Sequence, residues 1–195
     1  MQEGKLVLFS APSGSGKTTL VRWLLDQPLN LSFSVSATSR PPRPNEVHGT
    51  DYFFLSPEAF REKIETGAFL EWEEVYTDKY YGTLRSEVER MLAEGRHVLL
   101  DVDVKGGINI KRLYGSKALA VFVEPPSIEV LRQRLENRGT DSQAIIEERV
   151  KKAAWELSFA DNFDTIIIND DLETAKADCL NAVKTFLEGS DNKHE

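Results

Sequence analysis

The chain has 195 residues, of which 41% are hydrophobic and 29% charged, and its formal net charge at pH 7 is −8. This length and composition are typical of one ordinary globular domain with a packed core. The negative charge argues against general binding to nucleic acid, and no apolar run approaches the ~18 residues of a membrane span.

Cysteine usage and the amino-terminal residues indicate a cytoplasmic protein. Cys179 is the one cysteine of the sequence, so an intrachain disulfide is impossible and a reducing compartment is expected. The apolar run that follows the first residues has only four members, which is too short for a secretory signal. Apolar residues recur around Cys179 at helical spacing, which predicts that its thiol packs in the core.

The stretch from residue 5 to residue 25 combines a strand, a turn of small residues and a helix. The apolar run Leu6 to Phe9 predicts a buried strand. A turn of small residues before a helix that begins with Lys17 and Thr18 is typical of a phosphate cradle, because backbone N–H groups and the helix dipole point at the ligand. Lys17 is expected to reach the β- and γ-phosphates of a nucleotide, and the Thr18 hydroxyl to help hold Mg²⁺. The predicted phosphate-binding residues, which the resemblance described below assigns to ATP, are Ala11, Pro12, Ser13, Gly14, Ser15, Gly16, Lys17, Thr18 and Thr19.

The loop departs from the usual phosphate-binding pattern at its first position. That pattern, G-x-x-x-x-G-K-[ST], begins with glycine, and this sequence has Ala11 there. Alanine costs stability if the backbone at this position needs a positive φ, but it serves if the position needs only a small residue. The alternative interpretation of the stretch is a strand-to-helix turn that binds nothing.

A proline-rich segment after the first helix carries two arginines. Its prolines favour an extended chain, and a polyproline II helix has three residues per turn. Arg40 and Arg43 are therefore predicted to lie on the same edge, about 9 Å apart, where two guanidinium groups can grip one phosphate. A solvated loop or a proline-rich ligand for another domain is the alternative.

The patterns around this segment predict a small subdomain at residues 34–83. They predict a strand at residues 49–55, a helix capped by Ser56 and a strand at residues 68–76. Residues 78–83 are predicted to form a loop that leads into a further helix. Short strands, aromatic residues and loops of this kind indicate a mixed or antiparallel insertion in an α/β framework.

The framework resumes with a buried strand at residues 96–103, which ends in Asp101 and Asp103. Ligands of parallel sheets bind at the carboxyl ends of the strands, so both carboxylates are expected to face the phosphate loop. One of them suits a water-mediated contact with Mg²⁺. The alternative is an N-cap for the helix that begins near Lys105.

Two charged helices, at Ile128 to Asn137 and at residues 140–161, concentrate basic side chains despite the acidic total. Many of these side chains are expected to pair with glutamates on helix surfaces. Two helices joined by a hinge at residues 137–140 are also typical of a lid, which would close its arginines over phosphates. The predicted organisation is one domain, residues 1–195, with a core (1–33, 84–124 and 157–195), the insertion (34–83) and the lid (125–156).

From about residue 4 to residue 188 the sequence resembles the guanylate kinase family of nucleoside monophosphate kinases. Eight segments in one order carry the likeness, which makes it more specific than any segment alone. Besides the phosphate loop they are Ser36-Ala-Thr-Ser-Arg40-Pro-Pro-Arg43, Gly49-Thr-Asp-Tyr52, Phe69-Leu-Glu71-Trp72, Tyr80-Tyr81-Gly82-Thr83, Leu100-Asp101-Val-Asp103, Leu135-Glu-Asn-Arg138-Gly139-Thr140 and Ile168-Asn169-Asp170-Asp171.

The resemblance implies a P-loop-type parallel sheet flanked by helices, with a GMP-binding insertion and a helical lid. It implies an ATP:GMP phosphotransferase that makes ADP and GDP, accepts dGMP as well, and serves guanine nucleotide recycling. The implied cofactor is Mg²⁺, and the implied assembly is a monomer or small homo-oligomer. The family tolerates alanine at the position of Ala11, and it commonly has serine at the position of Thr83.

The resemblance also implies the residues of both nucleotide sites. The phosphate of GMP is implied to contact Arg40, Arg43, Tyr52 and Tyr81, and the guanine to contact Ser36, Glu71, Thr83 and Asp103. The Glu71 carboxylate would accept from N1–H and the 2-amino group of guanine, and the Ser36 and Thr83 hydroxyls would donate to O6. Adenine offers neither donor to Glu71, so that carboxylate would reject it.

On the ATP side the resemblance implies phosphate contacts from the lid arginines Arg134, Arg138 and Arg149, and an adenine contact from Asn169. The implied catalytic set is Lys17, Arg40, Asp101, Arg138 and Arg149.

Two other functions fit the same resemblance less well. Peptide-binding modules of this fold lose the lysine and hydroxyl residue of the phosphate loop, and Lys17 and Thr18 are intact here. A kinase of this fold that acts on a phosphorylated ribose would not need the guanine set of Ser36, Glu71 and Thr83.

Overall fold

The computed structural model describes residues 3–139 and 141–189. Thr140, which belongs to the predicted hinge, lies outside the described residues. The strands are β1 Leu6–Ser10, β2 Leu31–Phe33, β3 Ala37–Thr38, β4 Phe53–Phe54, β5 Phe69–Tyr76, β6 Lys79–Leu84, β7 His97–Asp101, β8 Ala118–Glu124 and β9 Thr165–Ile168. The α-helices are α1 Lys17–Leu25, α2 Pro57–Glu65, α3 Arg85–Ala93, α4 Val104–Tyr114, α5 Ile128–Asn137, α6 Gln143–Leu157 and α7 Leu172–Glu188.

The strands form two sheets. The larger has five strands in the order β2-β7-β1-β8-β9, and the smaller has four in the order β4-β3-β6-β5. β8 pairs in parallel with both β1 and β9, whereas β3 pairs in parallel with β4 and antiparallel with β6. The predicted fold class, an α/β protein with a helix-flanked parallel sheet and a smaller mixed sheet, is confirmed. No helix among the described residues is long and apolar enough to span a membrane.

The chain divides into two compact units. Among the described residues, the first unit comprises residues 3–5 and 32–99, and the second comprises residues 6–31, 100–139 and 141–189. The smaller sheet and helix α2 lie within the first unit. The phosphate-loop stretch and helices α4 to α7 lie within the second.

The core of the first unit is built around Phe60, which is fully buried. Its ring stacks on Phe69 and Tyr80, with centroids 4.3 and 5.3 Å away. Helix α2 presents this ring because it begins where the sequence predicts: the Ser56 hydroxyl accepts from the Ala59 N–H at 3.1 Å, and Pro57 occupies the first helical position.

The second unit has fully buried residues along β1 and through most of β8. Helices α5 and α6 pack against each other through the buried residues Leu131, Leu135, Ile146, Val150 and Ala153. Cys179 is fully buried on α7, as its spacing predicts, and burial raises the pKa of its thiol to about 12.

Three predicted elements are wrong in type or extent. Residues 79–84 form strand β6 and not a loop, because they pair with both β5 and β3. Gly82 weakens the strand signal, yet glycine is needed there, since a Cβ would lie 2.8 Å from the Glu71 carbonyl oxygen. The strand predicted at residues 49–55 is confined to β4, and the helix predicted at residues 140–161 is α6.

Candidate active site

Residues 11–16 connect β1 to α1 and form the predicted loop of the second unit. Gly14 and Gly16 have φ angles of 98° and 89°, which glycine adopts at little cost. The non-glycine residues with positive φ in the described chain are Asn30, Asn45 and Asp78. Ala11 is therefore free of this strain, and its position requires only a small side chain.

A cavity of about 370 Å³ opens on this loop. It brings together the loop, the carboxyl end of β7 and helices α1 and α6, as the strand-end rule predicts. Its lining comprises Ala11, Pro12, Ser13, Gly14, Gly16, Lys17, Thr18, Thr19, Asp101, Val102, Asp103, Arg138 and Glu156. Ser15 is buried within the loop and does not line the cavity.

The two strand-end aspartates have different partners. Asp101 accepts a hydrogen bond from the Lys17 ammonium, so the loop cation and this carboxylate form an ion pair. The Asp103 carboxylate accepts from the Gly106 N–H at 2.8 Å and caps α4, which is the alternative that the sequence left open. Asp101 is thus the carboxylate that faces the loop lysine.

Glu156 is a cavity residue that the sequence reasoning missed. Its side chain is 10% exposed, and one carboxylate oxygen lies 3.8 Å from the Lys152 ammonium, one turn earlier on α6. Glu156 lies between Trp155 and Leu157, after the charged run of this helix has ended at Lys152, and the sequence reasoning assigned it no role.

The arginines of the predicted lid separate into two groups. Arg149 donates to the Ser13 hydroxyl at 2.9 Å, and Arg134 donates to the backbone carbonyl of Asn169 at 2.7 Å. Arg138 lines the cavity described above. Arg132 instead pairs with Glu147 on the neighbouring helix, as charged residues on helix surfaces commonly do.

A second cavity, of about 420 Å³, shares Gly14, Gly16, Thr19 and Arg138 with the first. Arg134, Arg138 and Asn169 all contribute to its wall. The Nη1 atom of Arg134 is buried and has no hydrogen-bond partner within the described residues.

In the first unit, Arg40 forms a bidentate ion pair with Glu46. Its two terminal nitrogens lie 2.6 and 2.7 Å from the two carboxylate oxygens, and the Arg43 N–H donates to the same carboxylate at 2.7 Å. These hydrogen bonds lower the pKa of Glu46 to about 2, and the Glu46 contact raises the pKa of Arg40. Sequence reasoning missed Glu46, whose only signal is an acid six positions after Arg40 in a basic segment.

Aromatic rings surround the Arg40 guanidinium. Its central carbon lies 5.0 Å from the centre of the Tyr52 ring and 5.6 Å from that of Phe54. The Tyr52 and Tyr81 rings meet edge to face at 6.0 Å. The structure thus brings together Arg40, Tyr52 and Tyr81, whose donors suit a phosphate group. Arg43 is exposed, and its backbone contacts Glu46 twice: its N–H donates to the Glu46 carboxylate at 2.7 Å and its carbonyl accepts from the Glu46 N–H at 3.1 Å.

Glu71 and Thr83 face each other across the β5–β6 pair. The Thr83 hydroxyl donates to the Glu71 carboxylate at 2.6 Å, and Thr83 is 3% exposed. Since a hydroxyl has one proton, this contact competes with donation to a ligand. Ser36 lies in the same unit, where its carbonyl accepts from the Phe53 N–H at 2.9 Å.

The described residues contain no cluster of three or more histidine, cysteine or carboxylate side chains that could cage a metal. Thr18 and Asp101 nevertheless place a hydroxyl and a carboxylate on the wall of one cavity. These oxygen ligands fit Mg²⁺, which keeps several waters and completes its shell with phosphate oxygens.

Comparison with known proteins gives one consistent match. The family model described as guanylate kinase matches residues 3–189. The guanylate kinase of Bacteroides fragilis is 60% identical over 185 residues, which are 95% of this chain and 91% of that protein. The guanylate kinase of Porphyromonas gingivalis is 55% identical over 184 residues, 94% of this chain and 98% of that protein. The crystal structure of guanylate kinase from Anaplasma phagocytophilum superposes with a TM-score of 0.75 at 28% identity, covering 96% of this chain and 88% of that one.

Proposed function

The chain belongs to the guanylate kinase family and is an ATP:GMP phosphotransferase, and we propose that its phosphate loop holds ATP while the Arg40 cluster holds the phosphate of GMP. The observation that carries this proposal is the 370 Å³ cavity, in which the loop, Lys17, Asp101 and Arg138 line one space.

For ATP, the loop supplies backbone N–H groups and Lys17 supplies a positive charge for the β- and γ-phosphates. The Lys17 ammonium must exchange part of its contact with Asp101 for phosphate oxygens. Arg138 and Arg149 are proposed to clamp the transferred group, because one lines the cavity and the other contacts Ser13 of the loop. Arg134 and Asn169 are proposed to serve the adenosine side, in the second cavity.

For GMP, Arg40, Arg43, Tyr52 and Tyr81 are the proposed phosphate ligands, and Ser36, Glu71, Thr83 and Asp103 the proposed guanine ligands. The Arg40 guanidinium already binds a carboxylate with two parallel hydrogen bonds, which is the geometry that a phosphate also accepts. None of these contacts needs the 2′-hydroxyl of ribose, so dGMP is the proposed second acceptor.

ATP-dependent kinases of this kind use a divalent metal, and the proposed ion is Mg²⁺ at Thr18, with Asp101 contacting it through water. A bound Mg²⁺ would supply positive charge that offsets the charge of the phosphates. The proposed charge contacts of the chain itself are Lys17, Arg138 and Arg149 for the phosphates of ATP and Arg40 for the phosphate of GMP. Positioning and charge neutralisation suffice for this chemistry, so no covalent intermediate on the protein is needed.

The proposed division of labour along the chain is a core of residues 1–33, 84–124 and 157–195, a GMP-binding segment of residues 34–83 and a lid of residues 125–156. A cytoplasmic location and a role in guanine nucleotide recycling complete the proposal. The location is supported by the single, buried cysteine.

A coupled assay of ADP release tests the assignment. The chain is supplied with Mg-ATP and, separately, with GMP, dGMP, AMP, CMP or UMP. Turnover with the two guanine nucleotides alone is expected. Turnover with AMP at a comparable rate would contradict the role of Glu71, and the absence of any GMP-dependent turnover would refute the assignment.

A further inference from the structure

Asn169 makes a contact that an adenine-binding role does not explain. Asn169 is the first residue after β9, and it is 6% exposed. The amide nitrogen donates to the backbone carbonyl of Ser15 at 2.7 Å, across a sequence separation of 154 residues. Ser15 lies in the phosphate loop, so a buried side chain from the far end of the chain is bonded directly to the loop backbone.

This contact fixes the orientation of one loop peptide. The described chain has no cis peptide bond, and in a trans peptide the carbonyl and the following N–H point in opposite directions. When Asn169 holds the Ser15 carbonyl, the Gly16 N–H must point in the opposite direction, away from Asn169, within the same peptide plane. Phosphate loops bind their ligand through backbone N–H groups of this kind.

Gly16 makes the close approach possible. A Cβ built at Gly16 would lie 2.2 Å from the amide nitrogen of Asn169, a distance that no real contact tolerates. Any larger residue would therefore displace the Asn169 amide from the Ser15 carbonyl. The second glycine of the motif has a packing role here in addition to its positive φ of 89°.

Asn169 is itself held in place. Arg134 on α5 donates to the backbone carbonyl of Asn169 at 2.7 Å, in the same unit of the structure. The guanidinium thus fixes the backbone of Asn169, and the Asn169 side chain fixes the backbone of Ser15. These two hydrogen bonds connect α5, through Asn169, to the phosphate loop.

We propose that Asn169 is a positioning residue that orients the Ser15–Gly16 peptide of the phosphate loop toward the triphosphate. This role rests on the proposed ATP site and deepens it. Because the contact is to the loop and not to the base, its loss must weaken the binding of any triphosphate by the same factor, whether or not a base is attached.

The test uses Asn169→Ala in the full chain and a ligand without a base. Calorimetry measures the Kd of inorganic tripolyphosphate with Mg²⁺, and steady-state assays measure KM for Mg-ATP with GMP saturating. Loss of one orienting hydrogen bond is expected to raise both constants by about tenfold and by equal factors. KM for GMP should stay within about twofold, since the GMP ligands are proposed elsewhere.

Asn162→Ala is the matched control. Its side-chain amide also donates to a backbone carbonyl, that of Phe159 at 3.1 Å, but Asn162 is exposed and does not contact the loop. This variant should bind tripolyphosphate as the unaltered chain does. Thermal melts of both variants report whether they fold.

Three results would overturn the proposal: a raised KM for ATP with unchanged binding of tripolyphosphate, no change in either constant, or no tripolyphosphate binding by the unaltered chain. The first would assign Asn169 to the adenine alone. If the proposed function fails instead, the unaltered chain will bind tripolyphosphate but will not phosphorylate GMP. The two kinds of failure can therefore be distinguished.

If Asn169→Ala folds poorly, Gly16→Ala alone gives a second route to the same contact, and where both variants fold they form a double-mutant cycle. The added Cβ must push the Asn169 amide off the Ser15 carbonyl, so Gly16→Ala should break the same contact from the other side. Its effect on the Kd of tripolyphosphate should be smaller in the Asn169→Ala background by about the same tenfold factor. Additive effects would contradict the shared contact.

Discussion

Replacing Thr83 by valine removes one hydroxyl while nearly preserving the shape of a buried side chain. In the structure this hydroxyl donates to Glu71 at 2.6 Å, directly across the β5–β6 pair. Its single proton cannot be given to Glu71 and to guanine O6 at once. We therefore expect Thr83 to act on GMP by orienting the Glu71 carboxylate.

The size of the effect follows from the type of hydrogen bond. A hydrogen bond to a charged group contributes about 1.5–3 kcal/mol, and Glu71 is only half-buried, so water compensates part of its loss. The lower end, about 1.5 kcal/mol, corresponds to roughly a tenfold change. Thr83→Val should raise KM for GMP about tenfold and leave KM for ATP unchanged, as measured in the ADP-release assay.

Thr83→Ser is the control, because it keeps the hydroxyl and removes only a methyl group. It should stay within about threefold of the unaltered chain in KM for GMP. In a Glu71→Gln background, Thr83→Val should cost much less, since the carboxylate that it orients is gone. An unchanged KM for GMP in Thr83→Val, or full additivity with Glu71→Gln, would refute the reasoning.

Three further predictions concern the loop, the core and pH. Lys17→Ala should abolish phosphoryl transfer without lowering the melting temperature by more than a few degrees; near-normal turnover would contradict the loop assignment. Phe60→Ala should lower the free energy of unfolding in urea by about 3–5 kcal/mol, because the ring is fully buried and stacked, whereas Phe33→Ala at a 41% exposed site should cost clearly less. In the folded chain the pKa of His97 is lowered, mainly by burial and secondly by the positive charge of Lys5. The Nδ1 atom of His97 accepts a hydrogen bond from the Lys5 N–H at 3.0 Å. The unfolded chain therefore binds the proton more tightly, so stability is full above about pH 6.5 and falls as the pH drops below it. His97→Asn should flatten this fall between pH 7.5 and 5.5 in urea titrations, and an identical fall in both proteins would contradict it.

Short-range patterns in the sequence determined the phosphate-loop unit. The strand, the glycine turn and the first turn of α1 are contiguous, and each is specified by residues within a few positions of itself. The start of α2 was likewise predicted from Ser56 and Pro57, because an N-cap bonds to a residue three positions away. The resemblance to a family then supplied the substrates and the list of residues, which spacing alone did not provide.

Only the tertiary structure decided which of those residues are already paired. Strand β6 depends on two neighbouring strands, one of them more than forty residues earlier, so its own sequence with Gly82 looked like a loop. The pairing of Arg40 with Glu46, of Thr83 with Glu71 and of Lys17 with Asp101 likewise depends on how the backbone folds back on itself.

The hydrogen bond between Asn169 and Ser15 is the clearest example of a contact that local sequence patterns cannot predict. Sequence specifies local conformation, because dihedral preferences and caps act over a few residues. A hydrogen bond between positions 154 residues apart depends on the packing of every element between them, so only the folded chain reveals it. The residue types at the site were therefore readable from the sequence, whereas their partners, and with them their roles, were set by the fold.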